Sequence, residues 1–308
     1  MNILLATDGS DSARVALDFL TDFPLPVGSE VVLLSVIDWS AYLVESEYGD
    51  GQALISGETR DALRHETEQL LAGETDRLKA AGWTGSTEVR HGDPADEIIQ
   101  AAEDYGVDLV VLGSHGTSGI RRFLLGSVSG KVLEYAPCSV LIVKASDGHE
   151  AVPVAASAAQ DAEASWRILL AYDISRSSSN ALAVCASLPL ENRAEVTVAS
   201  VMPLVTAFRQ DIRQHMNAIW QHKKQAVRAA LDDAVEVLRR STTHVRAELR
   251  EGSDVAGEIL DLAEKSGTDL IVIGCKGEGA IRRFLLGSIT SRIARHARCS
   301  VWAVRGES

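Results

Sequence analysis

The first 144 residues alternate short, continuous apolar runs with longer segments in which apolar residues recur every three or four positions. A continuous apolar run is typical of a strand that is buried on both faces, whereas the longer periodic segments are typical of amphipathic helices. Strands are predicted over 2–7, 31–37, 87–91, 108–112 and 139–143. Helices are predicted between them, over 10–20, 58–80, 94–105 and 127–135.

The second half of the chain repeats this order, with strands predicted over 167–172, 195–201, 245–250, 270–273 and 300–304. Strands that alternate with helices and are this apolar favour a parallel sheet. The pattern therefore predicts an α/β protein of two tandem Rossmann-like domains, each a five-stranded parallel sheet with helices on both faces.

The two halves are also related residue by residue. The segments 108–144 and 269–305 are identical at 18 of 37 positions, including the shared octapeptide Ile-Arg-Arg-Phe-Leu-Leu-Gly-Ser. A repeat of about 160 residues is much longer than a solenoid unit, so it indicates a duplicated domain. We predict that domain 1 covers residues 1–144, that an alanine-rich acidic linker covers 145–165, and that domain 2 covers 166–308.

The net charge of the chain restricts the kinds of partner that the protein is expected to bind. The 308 residues carry 43 acidic and 30 basic side chains, which gives a formal net charge of −13. A chain this acidic argues against a broad nucleic-acid-binding surface, and the sequence contains no apolar run of about 18 residues that would span a membrane. The first 144 residues carry −13 and residues 166–308 carry +4, and opposite charges suit halves or subunits that pack together.

The four cysteines, Cys138, Cys185, Cys275 and Cys299, lack the CxxC spacing of a metal site or redox pair and suit a reducing compartment. The eight histidines show no metal-ligand spacing either. The N-terminus also lacks the basic and apolar regions of a signal peptide, so we expect a cytoplasmic protein. Since neither the cysteines nor the histidines have the spacing of metal ligands, we expect no structural metal.

A repeated glycine motif follows the predicted fourth strand of each half. In both halves a Gly-x2-Gly loop is followed, nine residues later, by a glycine that opens a predicted helix. The positions are Gly113, Gly116, Gly126, Ser127 and Ser129 in the first half, and Gly274, Gly277, Gly287, Ser288 and Thr290 in the second. Glycine lets the backbone approach an anion, the first N–H groups of a helix favour phosphate, and the hydroxyl groups add donors. The motif predicts a phosphate site in each half; the alternative is that the glycines only form a turn and the serines only cap a helix.

Other phosphate chemistries fit less well. Residues 126–132 are one residue short of the P-loop pattern GxxxxGK[ST], and no GxGxxG dinucleotide pattern follows the first strand. A receiver-like phosphoacceptor domain would use Asp8, Asp93 and Lys144 in the first half. The second half lacks this set because Arg305 takes the lysine position, so the receiver interpretation is rejected.

The glycine motif and the end of the first strand together resemble the universal stress protein family, in its ATP-binding branch. The family pattern Gly-x2-Gly-x9-Gly-(Ser/Thr) is present in both halves, and Ala6-Thr-Asp8-Gly-Ser10 is similar to the family's opening. The resemblance covers almost the whole chain apart from the linker. It implies an ATP-binding protein with a nucleotide-dependent role in stress response or signalling, and ATP hydrolysis that is slow at most. The alternative function is a non-nucleotide interaction module on the same fold.

The resemblance also implies roles for individual residues. Asp8 and Asp173 match the acid that contacts the nucleoside; the alternative is that each aspartate only caps the following helix. Val36 and Val201 match approximately the position whose backbone meets adenine. The glycines and serines of the motif would hold ribose and phosphates, with Mg²⁺ carried in by phosphates and water.

The second site departs from the first at two positions. Ile174, which stands where the first half has Gly9, would narrow the second nucleoside pocket. Lys276 replaces His115 and is a candidate phosphate contact, the alternative being a solvated loop lysine. The resemblance further implies that the two domains pair about a pseudo-twofold axis, often through their fifth strands, and that the chain forms a homodimer.

Overall fold

The computed structural model of the chain contains two compact units with the same architecture. It describes residues 1–39, 57–116, 125–145, 166–203, 210–275 and 286–306. Apart from the short segment 24–26, the first unit comprises the residues up to Lys144 and the second comprises those after it. The α/β fold predicted from the apolar runs is confirmed in both units.

Unit 1 is a five-stranded parallel sheet whose strands alternate with helices. Its elements are β1 (Asn2–Ala6), α1 (Asp11–Asp22), β2 (Glu30–Ile37), α2 (Gly57–Ala80), β3 (Thr84–His91), α3 (Pro94–Asp104), β4 (Leu109–Gly113), α4 (Ser127–Tyr135) and β5 (Ser139–Val143). The strand order is β3-β2-β1-β4-β5, and all neighbours are parallel. The order reverses between β1 and β4, and such a reversal opens a crevice at the carboxyl ends of the two strands.

Unit 2 repeats this topology. Its elements are β6 (Trp166–Ala171), α5 (Arg176–Ser187), β7 (Ala194–Pro203), α6 (Gln210–Leu238), β8 (Val245–Gly252), α7 (Val255–Lys265), β9 (Leu270–Gly274), α8 (Ser288–His296) and β10 (Ser300–Val304). The strand order is β8-β7-β6-β9-β10, again parallel throughout. The corresponding crevice lies between the carboxyl ends of β6 and β9.

The core of each unit lies between the sheet and the helices that cover it. Every residue of β4 and of β9 is buried, which explains their continuous apolar sequences. The helices contribute apolar rows on one face; in α3 the buried row is Ala95, Ile98, Ala101 and Ala102. None of the helices formed by the residues in the described ranges is long and apolar enough to cross a bilayer.

Strand boundaries differ from the sequence-based expectation mainly at the sheet edge. β3 begins at Thr84 rather than at the predicted residue 87. Its first four residues, 84–87, are exposed and contain no apolar run that would reveal them. Among the described strands β3 pairs only with β2, and this pairing already begins at Thr84. Backbone hydrogen bonds therefore define the start of the strand, where the side chains are polar.

Matched hydrogen bonds identify corresponding residues in the two units. The Thr7 N–H donates to the Leu34 carbonyl at 2.9 Å, and the Tyr172 N–H donates to the Ala199 carbonyl at 2.8 Å. Thr7 therefore corresponds to Tyr172. The residues that follow along the chain correspond in the same order, so Asp173 corresponds to Asp8 and Ile174 corresponds to Gly9.

The long helices α2 and α6 correspond through the strands that follow them. β3 pairs Gly85 with Val31 of β2, and β8 pairs Val245 with Val196 of β7. An alignment without gaps back from these strands matches Leu70 with Ala230, Leu71 with Leu231, Glu74 with Ala234 and Leu78 with Leu238. The two leucine pairs are buried in both units, as expected if the helices pack in the same register.

Candidate functional site

The carboxyl ends of β1 and β4 meet at the first glycine loop. A methyl group built on Gly116 would lie 2.7 Å from the Asp8 Oδ2 atom, so the loop after β4 passes directly beside the Asp8 carboxylate. The other carboxylate oxygen, Oδ1, accepts the Ser10 N–H at 3.0 Å. Asp8 is exposed. The turn after β1 therefore holds one oxygen of this carboxylate and directs the other towards the loop.

Backbone contact between α1 and the end of β4 requires glycine in both units. A methyl group on Gly113 would lie 2.5 Å from Ser12 Oγ and 2.6 Å from its carbonyl oxygen. A methyl group on Gly274 would meet the same two atoms of Ser177 at 2.5 and 2.6 Å. Ser12 Oγ also accepts the N–H of His115 at 3.3 Å, which ties the loop to the helix. These glycines are thus required by close packing.

Helices α4 and α8 both begin without a capping side chain, at Gly126 and Gly287. The Gly126 N–H donates to the Ser114 carbonyl at 2.8 Å, and the Gly287 N–H to the Cys275 carbonyl at 2.7 Å, so each helix start is fastened to its loop. The N–H groups of a first turn without a side-chain acceptor favour an anion. The first helical residue, Ser127 in α4 and Ser288 in α8, is exposed at this place.

The hydroxyl groups of Ser129 and Thr290, which are predicted phosphate donors, are hydrogen-bonded inside the fold. The Ser129 hydroxyl donates to the Gly113 carbonyl at 2.7 Å, and the Thr290 hydroxyl donates to the Gly274 carbonyl at 2.8 Å. Both side chains are buried. Each of these residues thus joins the helix start to the end of the neighbouring strand, and their contact with phosphate stays a prediction.

The remaining predicted residues lie at the same edge of each sheet or outside the described ranges. Val36 and Val201 are half-buried near the carboxyl ends of β2 and β7, where they pair with Arg90 and Arg250. Each therefore stands on the strand next to the one that carries the aspartate. Other predictions fall outside the described residues, namely those on Gly277 and Lys276.

Lys131, the lysine of the near-P-loop sequence, is held by acids of α3. Its Nζ lies 2.7 Å from Asp96 Oδ1 and 3.2 Å from Asp93 Oδ1. The Asp96 N–H and then Lys131 lower the pKa of Asp93, which caps α3. In unit 2 Arg292 pairs with Asp254 at 2.6 Å. This basic residue thus links two helices in both units, a role unlike that of a P-loop lysine.

His115 is the titratable group of the first loop. Its Nδ1 atom lies 3.0 Å from Ser114 Oγ, and its buried Nε2 atom has no hydrogen-bond partner among the described residues. Burial, and then the positive charge of Lys144, lower the pKa of His115 below its ordinary value of 6.5. The imidazole is therefore neutral at neutral pH and adds no positive charge to the loop.

A buried chain of hydrogen bonds, which was not predicted from the sequence, lies behind the turn after β1. The Gly9 N–H donates to Thr7 Oγ1 at 3.2 Å, and the Thr7 hydroxyl donates to Glu74 Oε1 at 3.0 Å. Glu74 lies on α2 and is only 5% exposed. The sequence contains one indication that Glu74 is buried: at helical spacing, it lies on the same face of α2 as the apolar residues Leu71 and Leu78.

Burial raises the pKa of Glu74 above its ordinary value of 4.5, although the Thr7 hydrogen bond and the arginines Arg77 and Arg14 act in the opposite direction. A carboxyl whose pKa is raised by folding binds its proton more tightly in the folded protein, so stability falls as the pH rises from the unfolded pKa towards the folded one. We expect Glu74→Gln, which does not ionise, to gain stability relative to the wild type across that interval.

Urea unfolding of both proteins between about pH 4 and pH 8 measures this difference. Glu68→Gln is the matched control, since Glu68 is half-exposed on the same helix. A stability difference for Glu74→Gln that is constant over the whole range would contradict the expectation.

The turn after the first strand adopts left-handed backbone in both units. Gly9 has φ of +73° and Ile174 has φ of +67°. A β-branched residue in this region is strained. A methyl group on Gly9 would lie 3.1 Å from Leu70, whereas α6 has the smaller Ala230 at that position. Unit 2 has thus kept the turn although its residue is poorly suited to the conformation.

We expect Ile174→Gly to stabilise unit 2 by about 1 kcal/mol, because relief of the left-handed strain exceeds the added freedom of glycine in the unfolded chain. Gly9→Ala is the reciprocal variant, and we expect it to destabilise unit 1 by a similar amount. Hydrogen exchange of the buried amides of β9 and β4 reports the two units separately. Faster or unchanged exchange in β9 of Ile174→Gly would contradict the strain argument.

Comparison with known proteins agrees with this architecture. The family model for the universal stress protein family matches residues 1–144 and 166–305. Universal stress protein MJ0577 of Methanocaldococcus jannaschii is 31% identical over 151 residues, which cover 46% of this chain and 93% of that protein. A universal stress protein of Mycolicibacterium smegmatis is 26% identical over 311 residues, covering 98% of this chain and 96% of the relative.

A solved structure extends the similarity to the fold of the whole chain. The crystal structure of a universal stress protein from Archaeoglobus fulgidus matches with a TM-score of 0.63 and 23% identity, covering 99% of this chain and 98% of that one. The family model matches each half separately, in agreement with the internal repeat. The chain therefore belongs to the universal stress protein family, of which it carries two tandem domains.

Proposed function

We propose that each unit binds ATP at the crevice between its first and fourth strands, and that the bound nucleotide serves a stress-related signalling role. One observation carries the proposal. The loop after β4 passes beside the Asp8 carboxylate and leads to a helix whose first turn has no capping side chain. A carboxylate that can accept hydrogen bonds from hydroxyl groups thus lies at the same edge of the sheet as a helix N-terminus that favours phosphates.

The proposed roles follow from the chemistry of these groups. In unit 1 the Asp8 carboxylate accepts hydrogen bonds from the ribose, and the backbone near Val36 meets the base. Gly113 and Gly116 keep the loop thin enough for phosphates to lie against it, and the α4 N–H groups with Ser127 donate to phosphate oxygens. Mg²⁺ would be held by phosphate oxygens and water, the hard ligands it prefers.

The second site has the same proposed components. Asp173 would accept hydrogen bonds from the ribose, and the backbone near Val201 would contact the adenine base. Gly274, Gly287 and Ser288 would form the phosphate end of the site. Gly277 contributes through its place in the sequence motif. The strained Ile174 directly follows Asp173 in the turn after β6, so we propose that the second site is narrower than the first.

Hydrolysis is proposed to be slow at most. Rapid phosphoryl transfer needs a group that orients water and cations that neutralise charge at the γ-phosphate. Asp8 is assigned to the nucleoside end of the site, and its Oδ1 is engaged by the turn. Lys131 is paired with Asp93 and Asp96. ATP therefore acts as a ligand in this proposal, and the resemblance to the family adds the expectation of a cytoplasmic homodimer.

The test is the nucleotide content of each site. Freshly purified protein is denatured and its released nucleotide is quantified, and ATP is titrated into stripped protein, for wild type, Asp8→Ala and Asp173→Ala. We expect one nucleotide for each unit, with each variant losing one. Asp11→Ala is the matched control, because its exposed carboxylate pairs with Arg14 beside the turn. Protein that neither carries nor binds nucleotide would overturn the proposal in favour of an interaction module.

A further inference from the structure

The buried chain of hydrogen bonds behind the first site connects helix α2 to the turn that carries Asp8. Glu74 Oε1 accepts the Thr7 hydroxyl at 3.0 Å, and Thr7 Oγ1 in turn accepts the Gly9 N–H at 3.2 Å. The next amide, of Ser10, donates to Asp8 Oδ1. A displacement of the Glu74 side chain would therefore reach the Asp8 carboxylate through three hydrogen bonds and the peptide link between Gly9 and Ser10.

The fold itself does not require a carboxylate at this position. In unit 2 the corresponding residue is Ala234, which is only 1% exposed, and the residue corresponding to Thr7 is Tyr172. Unit 2 thus has a larger residue on the strand side and, on the helix side, a smaller residue without a carboxylate. Helix α6 packs in the same register although it lacks the acid.

Glu74 is also a costly residue for its surroundings. It is 5% exposed, and its second carboxylate oxygen, Oε2, is buried without a hydrogen-bond partner among the residues that the structure describes. The charged groups that act on it are Arg77 on its own helix, Arg14 on α1 and Asp8 on the turn. Burying a carboxyl with incomplete hydrogen bonding is unfavourable compared with a packed apolar side chain. Packing alone therefore does not account for a glutamate at this position.

We propose that Glu74 is a positioning residue of the first nucleotide site: through Thr7 it fixes the Gly9 amide, and so the turn that presents Asp8 to the ligand. The inference rests on the proposed nucleotide binding and adds a determinant that only unit 1 has. The turn of site 1 is thereby tied to helix α2. In unit 2 the corresponding turn is tied to its own following helix, α5, because the Asp173 N–H donates to Ser178 Oγ at 3.3 Å. The two sites of one chain are different in how their acid is held.

A double-mutant cycle tests the chain of contacts. Asp173→Ala silences the second site, and ATP affinity is measured for this parent with Thr7→Val, Glu74→Ala and the two combined. Each single change is expected to weaken ATP binding about tenfold, and the combination by about the same factor, because both remove one chain of hydrogen bonds. Glu74→Gln should retain most of the affinity, since its amide oxygen still accepts the Thr7 hydroxyl.

Two further measurements separate positioning from a general loss of structure. Exchange of the Gly9 and Ser10 amides should accelerate in Thr7→Val and Glu74→Ala while the amides of β4 are unchanged. Thr75→Val is the matched control, because the Thr75 hydroxyl donates to Leu71 within the helix and should leave ATP affinity unaltered. Thr7→Val is close to isosteric and tests the same contact if Glu74→Ala fails to fold.

The outcomes distinguish this inference from the proposed function. A parent that binds ATP and variants that bind equally well would overturn the positioning role and leave nucleotide binding intact. Losses that multiply in the combined variant would show that Thr7 and Glu74 act separately, which also overturns it. A parent that does not bind ATP at all would instead overturn the proposed function of the first site.

Discussion

Gly113→Ala is expected to lower the free energy of unfolding of unit 1 by about 2–3 kcal/mol, the range in which overpacking of a rigid contact falls. The added methyl group would meet the oxygen, the carbonyl carbon and the hydroxyl of Ser12 at 2.5 to 2.7 Å. Two of these atoms belong to the backbone of the first turn of α1, which cannot rotate away. The end of β4 and the start of α1 must therefore separate, and the hydrogen bond from the His115 N–H to Ser12 Oγ is weakened.

The chain offers a matched control for this substitution. Gly130→Ala makes the same change inside α4, where the nearest outside atom, Leu125 Cδ2, lies 3.8 Å away. Alanine is favoured over glycine inside a helix by about 0.5–1 kcal/mol, so this variant should be slightly stabilised. Urea unfolding followed by circular dichroism and amide exchange in β4 compares the two. Equal stability of Gly113→Ala and Gly130→Ala would refute the close-packing argument.

Gly274→Ala extends the comparison to the second unit. The contact between Gly274 and Ser177 has the same distances as that between Gly113 and Ser12. We therefore expect a loss of similar size that appears in β9 and not in β4. Because both units have this close contact, the glycine that ends the fourth strand of each unit is required by the packing of the fold, whether or not a ligand binds there.

The fold was predictable from the sequence because its central strands are apolar throughout. The fifth strand of each half, 139–143 and 300–304, and the helix over 127–135 have the bounds expected from the pattern. Edge strand β3 begins earlier than expected because its first residues are polar and exposed. Hydrophobic periodicity locates buried backbone well and exposed backbone poorly.

The candidate site was predictable where spacing along the chain is enough and unpredictable where contacts cross the fold. The spacing of the glycines located the loops and the helix starts. It did not indicate the direction of the Ser129 hydroxyl, which is fixed by packing against Gly113. The contact between Thr7 and Glu74 joins residues that are far apart in sequence, and no local pattern encodes it.

Two pairs of exchanges between the units lie in the turn after the first strand and in the helix that precedes the third strand. The exchanges are Thr7 for Tyr172 with Glu74 for Ala234, and Gly9 for Ile174 with Leu70 for Ala230. In each exchange the turn after the first strand gains volume in unit 2 and the facing helix loses it. Compensation of this kind preserves packing. It also changes the surroundings of the aspartate, so the duplicated sites have diverged where the nucleoside would lie.

Gly116→Ala is expected to weaken ATP binding at the first site by tenfold to about a hundredfold, the effect of losing a hydrogen bond to a charged group. The added methyl group would lie 2.7 Å from Asp8 Oδ2, and among the residues that the structure describes its only other neighbour within 4 Å is the Asp8 carboxyl carbon. Because a carboxylate oxygen at the end of a side chain moves easily, the free energy of unfolding should change by less than about 1 kcal/mol. The carboxylate, however, is displaced from the position in which it would meet the ligand.

This separation of binding from stability is what distinguishes Gly116 from Gly113. ATP affinity and urea unfolding are measured for Gly116→Ala, Asp8→Ala and the two combined, each with the second site silenced by Asp173→Ala. If the methyl group acts only by moving the carboxylate, the combined variant should bind no worse than Asp8→Ala alone, because the group to be displaced is already gone. A further loss in the combined variant would mean that the loop contacts the phosphates itself, and wild-type affinity in Gly116→Ala would remove Asp8 from the proposed site.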